Sequence, residues 1–354
     1  MLNKLSVKKL LVVFLIFVSL FGLLFQYRIL SILKKLGYDV APVNTKFSFI
    51  PQAKDIVKFP EWQQPFYYTL DYINSFWFAL LLAILIGSAS VVFLSGFIGR
   101  NLKGNGFRHY LSGMLMGLPN MFCSCCAVGI FIALRRAGAS LGPALAFLLT
   151  APTLNVLVLV FAFSTLPFKL VLSRLVLGLV VVFGVSALVA KLFPDKAIDD
   201  KADDIRPLPG PTGAEPIGYL LKQWLACTWD ITKKVGPILV LWLFVTAVLF
   251  ETGSVSKYIG SHWTSGFIST VLASASGTVM MNPFTSLEVV WVKDFVKHGM
   301  GTGPAVAILL TLPAVCFPAL WIAGRNLKSW KIPATVAALV FVIGVIGGLV
   351  FSAI

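Results

Sequence analysis

Cys123-Ser124-Cys125-Cys126 is the densest group of reactive side chains in the sequence, holding most of its five cysteines. Thiolates are soft ligands that suit soft, thiophilic species. Cys123 and Cys125, two residues apart beside a helix break, could share one such centre. Cysteine also packs well as a small hydrophobe, and the residue types alone leave both readings open. The other thiols, Cys227 and Cys316, likewise lie in or beside apolar runs. No cysteine spacing matches a zinc ribbon or a secreted disulfide framework, so neither a resident metal nor a cofactor is expected.

Further polar residues fall where apolar runs are interrupted. Asn155 follows Pro152, and Asn282-Pro283 interrupts a second apolar stretch. Asn155 reads either as part of a site or as an interhelical hydrogen-bonder; Asn282 reads as a site residue, a helix cap, or both. Glu288, in Ser286-Leu287-Glu288-Val289-Val290-Trp291, lies just past that interruption. An ionisable group at membrane depth is costly and usually functional, so Glu288 is a candidate for taking up and releasing a driving proton. The competing position is the outer interface, beside Lys293 and Asp294. His109, His262 and His298 stand at the ends of runs, where interfacial positions are expected.

These residues must be held by membrane helices. Hydrophobic residues make up 58% of the 354 and charged residues 12%, about half the charge of a soluble domain. Mean hydropathy is +0.90. A span needs roughly 20 apolar residues, which predicts an all-α, polytopic membrane protein with spans at Leu10–Tyr27, Ser75–Ile98, Leu141–Ser164, Phe168–Ala190, Val235–Phe250, Gly303–Ala323 and Pro333–Ser352. Tyr110 to Leu134 and Trp263 to Val296 are broken, the first at Leu118-Pro119-Asn120 and the second at Asn282-Pro283. Proline removes a backbone hydrogen bond, and broken helices occur in membranes where they line a cavity. The formal charge of +15 sits at run ends, so it reads as a topology signal and a contact with anionic lipid rather than with nucleic acid.

The chain repeats internally. Gly138, Gly142-Pro143-Ala144 and Thr150-x-Pro152 recur as Gly299, Gly303-Pro304-Ala305 and Thr311-x-Pro313 at one constant offset. Coincident Gly, Pro and Thr are hard to obtain by chance, and internal duplication is typical of secondary transporters. At the same offset Asn155 aligns with Cys316. Lys4, Lys8 and Lys9 place the N-terminus inside. If Tyr110–Leu134 dips in and returns, Arg135, Arg136, Lys233 and Lys234 also stay inside. The two halves then have inverted topology, each with a broken or re-entrant helix. Residues 191–222, with Asp199, Asp200, Asp203 and Asp204 followed by prolines, read as a hydrophilic linker.

The run Leu118-Pro119 … Cys123-Ser124-Cys125-Cys126-Ala127-Val128 … Leu134 … Gly138 … Gly142 … Phe147-Leu148 … Pro152 … Asn155 resembles the signature of the ArsP-type and YraQ-like predicted permeases. The resemblance extends over most of the chain after Tyr72, including the diverged second copy at Gly299–Pro313. Gly129 stands where that family often has proline. The resemblance implies a permease of a bacterial or archaeal cytoplasmic membrane, in a group whose assigned members export trivalent organoarsenicals.

The organisation expected is a helix and external loop over 1–71, a first repeat over 72–190, the cytoplasmic linker over 191–222 and a second repeat over 223–354. The function expected is secondary transport, not catalysis: export of a small thiophilic or metalloid substrate, with proton coupling and homo-oligomerisation both open. The substrate site would draw on Cys123, Ser124, Cys125, Cys126, Pro152, Asn155, Asn282, Pro283 and Cys316. No phosphate-binding glycine loop encodes an ATP-driven mechanism. The alternative is a membrane thiol–disulfide protein in which Cys123 and Cys125 cycle between dithiol and disulfide.

Overall fold

A computed structural model describes residues 7–35, 56, 59–60, 62–119, 122–195, 217–250, 263–264, 266–280 and 287–353. Regular structure among them is helical. The first half holds α1 (Val7–Lys35), α2 (Gln64–Asn101), α3 (Phe107–Gly117), α4 (Ser124–Arg136), α5 (Leu141–Thr153), α6 (Val156–Thr165), α7 (Phe168–Val180) and α8 (Ser186–Leu192). A π-turn over Val181–Val185 joins the last two. The second half holds α9 (Ile217–Phe250), α10 (Phe267–Val279), α11 (Leu287–Lys297), α12 (Thr302–Ala314), α13 (Phe317–Asn326) and α14 (Lys331–Ala353).

Four helical stretches among the described residues are long and apolar enough to cross a membrane: Leu141–Thr165, Phe168–Leu192, Thr302–Asn326 and Lys331–Ala353. They coincide with four of the expected spans. The other three expected spans fall within α1, α2 and α9.

Burial divides the four into two kinds. In an apolar 18-residue window of each, 78% of Leu141–Thr165 and 83% of Thr302–Asn326 is buried, against 39% and 33% for the other two. The first pair therefore forms the centre. The second pair turns apolar stripes outward, including Leu172, Val176 and Val180 on α7 and Val342, Ile346 and Val350 on α14. A helix facing water would present polar residues there, so these stripes suit lipid.

Both central helices are broken one residue after their proline. α5 ends at Thr153 and α6 begins at Val156; α12 ends at Ala314 and α13 begins at Phe317. The duplication extends to individual hydrogen bonds. Gly138 and Gly299 have φ of 88° and 100°, a conformation glycine adopts without steric cost. Each ends the short helix before it, with Ala139 N donating to Leu134 O and Met300 N to Phe295 O, both at 3.0 Å. Ser140 N then donates to Leu102 O and Gly301 N to Trp263 O. Every one of these pairs is related by the offset that aligns Gly138 with Gly299.

Close approach is duplicated as well. α3 packs on α5 and α10 on α12. A Cβ on Gly117 would meet the Thr150 side chain, and one on Gly277 the Thr311 hydroxyl. Small residues give membrane helices the van der Waals contact that hydrophobicity cannot supply within lipid. Thr150 and Thr311 donate back to Ala146 O and Ala307 O, which leaves no hydroxyl unsatisfied at either crossing.

Two features tie the frame together. α2 and α9 run against each other, with Trp224 Nε1 donating to Leu85 O at 3.0 Å and Ser88 bonded to Thr228 at 2.7 Å. Asp195, just beyond α8, accepts from Arg135 Nη1 at 2.7 Å and from Leu141 N at 2.9 Å. This carboxylate joins the end of α4 to the start of α5. The linker acids Asp199, Asp200, Asp203 and Asp204 lie outside the described residues.

Candidate functional site

The short helix of each half packs against the broken helix of the other. α4 contacts α13, and α11 contacts α6. These reciprocal crossings bring most of the polar candidates into two places.

At the first, Ser124 in the opening turn of α4 donates from Oγ to Cys316 Sγ at 3.1 Å. Ser124 is 2% exposed and Cys316 0%. Cys123 occupies the N-cap position of α4 and is buried, but its side chain makes no cap hydrogen bond. Cys125 and Cys126 follow in the first turn. The backbone turns into the helix here because Pro119 cannot continue α3, which stops at Gly117. Cys316 stands at the N-cap position of α13, also without a cap bond.

An apolar cavity adjoins this contact. Its walls include Phe131, Leu145 and Leu148 from the first half and Val315, Ala319 and Leu320 from the second, with Ser124 as its polar group. Pockets that take small molecules combine apolar walls with a few placed polar groups. The free space is about that of one water-sized molecule, and Cys316 itself is not among the lining residues.

At the second crossing, Glu288 in the first turn of α11 is 1% exposed and pairs with Arg174 of α7. Arg174 Nη2 lies 2.9 Å from Glu288 Oε1, with side chains 0% and 1% exposed. The guanidinium also donates from Nε to Thr153 O at 3.0 Å and from Nη2 to Pro152 O at 3.2 Å. Those are the last carbonyls of α5, which have no partner within the helix. A cation there also suits the negative end of the helix dipole. Pro152 thus enters the site through its carbonyl. Arg174 Nη1 is buried and has no hydrogen-bond partner.

Asn155 closes the other side of this break. Its Oδ1 accepts from Leu157 N at 3.0 Å and Val158 N at 3.5 Å, capping α6. It thereby makes a local cap bond. Glu288 is buried within the protein, while Lys293 and Asp294 are exposed further along α11. His109 bonds Asn101 O, and His298 is exposed beside Asp294. Asn282, Pro283 and His262 lie outside the described residues.

Arg174 escaped the sequence reading. Its signal was nonetheless present: a single arginine inside the apolar run Phe168–Ala190, where a charge requires a buried partner.

Residues 65–209 match the ArsP_1 family model, described as a predicted permease. The chain is 31% identical over 298 residues to the UPF0718 protein YraQ of Escherichia coli K12, covering 81% of this chain and 80% of that protein. It is 25% identical over 328 residues to the UPF0718 protein MJ0584 of Methanocaldococcus jannaschii, covering 74% of this chain and 88% of that one. No solved structure matches. With its apolar helices and its match to YraQ over most of both lengths, the chain is an integral membrane protein that belongs to the UPF0718 family of predicted permeases.

Proposed function

We propose that this chain is a multi-pass secondary transporter of a bacterial or archaeal cytoplasmic membrane that exports a small thiophilic or metalloid species. The observation that carries the reading is the Ser124–Cys316 contact, which joins the two halves beside an apolar cavity. Thiols suit a ligand with a soft atom, and trivalent organoarsenicals are the class to which the sequence resemblance leads. Cys123 and Cys125, at the start of α4, are the further thiols of the site, and Cys126 follows them. Asn282 and Pro283 precede α11 and belong to the same proposal as residues of the second half's break.

The halves act as inverted-topology repeats in this account. The reciprocal packing of α4 on α13 and α11 on α6 supports that reading, as do the matched glycine turns at Gly138 and Gly299. Exchange of contacts at the two breaks would open the site to one side at a time. Glu288 carries the driving proton.

The test is export of a trivalent methylarsenical, measured as uptake into everted vesicles, by the full chain and by Cys316→Ala and Ser124→Ala. Uptake above that of vesicles lacking the protein, lost in Cys316→Ala, supports the reading. Uptake no different from protein-free vesicles contradicts the arsenical assignment. Transport in Glu288→Gln that follows pH as the parent does would end the proton assignment. Reversible formation of a disulfide at Cys123, with no transport, would favour the redox alternative.

A further inference from the structure

Arg174 offers five N–H donors, and the structure accounts for three of them. Nε–H goes to Thr153 O, and the two hydrogens of Nη2 go to Pro152 O and Glu288 Oε1. Nη1 carries the other two and is buried without an acceptor. A buried donor on a charged group is costly to leave open, and such groups are nearly always satisfied by protein, water or ligand. The start of α6 does not compete for that ligand, because Asn155 Oδ1 already takes the N–H groups of Leu157 and Val158.

Charge decides what the ligand can be. Arg174 and Glu288 together are neutral. An anion added to the pair would leave a net negative charge in an apolar interior beside two carbonyl oxygens, which is unfavourable. A proton arriving with the anion removes that difficulty. Once Glu288 is protonated, the Nη2 hydrogen it held becomes available. Nη1 and Nη2 then present the parallel edge that binds carboxylates and oxyanions in a bidentate manner.

We propose that Arg174 and Glu288 form an anion site that fills when Glu288 takes up a proton, its ligand being a small carboxylate or oxyanion of single negative charge. The site is distinct from the thiol site, and it rests on the proposed proton uptake by Glu288. No bond is made or broken apart from O–H on Glu288, and the added proton and anion sum to zero charge. Among the described residues, the helices packed against α11 bring no ionisable side chain from α6 or α12, and α7 brings Arg174, with Lys169 toward its start. On α11 itself Lys293, Asp294 and Lys297 are exposed.

The experiment is binding of formate and of nitrate to the purified full chain in detergent. Binding is read as the shift in thermal unfolding relative to chloride at equal ionic strength, from mildly acid to mildly alkaline pH. One proton taken up per anion makes the apparent affinity rise about tenfold for each pH unit of acidification. Glu288→Gln should bind formate with no pH dependence, and Arg174→Met should show no formate effect at any pH. Should Arg174→Met fail to fold, Arg174→Lys decides, with affinity at least about tenfold weaker because the planar fork is gone. Cys316→Ala should keep formate binding, so lost arsenical export with intact formate binding marks failure of the thiol reading alone. The proposal is overturned if the parent protein shows no formate- or nitrate-dependent shift at acid pH, meaning that water alone satisfies Nη1. It is equally overturned if Arg174→Met or Arg174→Lys binds as the parent does, or if Glu288→Gln keeps the pH slope.

Discussion

At the first helix break, Asn155 caps α6 and Arg174 takes the final carbonyls of α5; at the second, Cys316 holds the equivalent position with no cap bond and meets Ser124 instead. The backbone punctuation is shared: a proline, one more helical residue, a short gap and a new helix. The side chains have diverged. One break is closed by a charged clasp to Glu288 of the other half, and the other is left with a sulfur facing a serine beside an apolar cavity. A duplicated frame has thus supplied two equivalent places, of which one holds a buried ion pair and the other a thiol beside a hydroxyl.

The largest way to break this comparison is to remove the clasp. Arg174→Met leaves Glu288 buried beside an apolar side chain and should cost about 3–5 kcal/mol, as does breaking a buried pair from one side. Adding Glu288→Leu should recover much of that loss, because replacing both partners by apolar residues is often neutral. Unfolding of the single and double variants in detergent checks both values.

The shared frame predicts equality where the side chains predict difference. Gly117→Val and Gly277→Val force branched side chains into the Thr150 and Thr311 crossings. Each should cost about 1–3 kcal/mol, as overpacking does. Thermal unfolding showing one tolerated and the other disruptive would break the equivalence of the halves.

Smaller effects sharpen the contrast between the caps. Asn155→Ala should cost about 1 kcal/mol, as loss of an N-cap does. Cys316→Asn places that cap at the second break and should raise stability by up to about 1 kcal/mol while abolishing soft-ligand binding. Equilibrium unfolding and arsenical binding on the same preparation separate the two. Ser124→Ala removes one buried hydrogen bond and should cost about 0.5–1.5 kcal/mol, read from the same equilibrium unfolding.

Much of the frame was legible because it depends on residues with few conformational options. Pro152, Pro313, Gly138 and Gly299 each restrict or release the backbone locally, so a shared register of such residues announces a shared fold. The alignment of Asn155 with Cys316 came from that register and correctly located both beside breaks. The contacts were not legible. Ser124 and Cys316 meet because α4 crosses α13, and Arg174 and Glu288 meet because α7 approaches α11 across the interface between halves. No periodicity along the chain records either crossing. Arg174 was passed over because a long apolar run reads as a span whether or not it carries one buried charge.

The account stands most directly on sulfur at the second break. Arsenic K-edge absorption of the purified full chain loaded with a trivalent methylarsenical reports the atoms bound to arsenic. The account predicts sulfur ligation in the parent protein and one sulfur fewer in Cys316→Ala. Oxygen-only ligation in the parent, or an unchanged sulfur shell in Cys316→Ala, would contradict it.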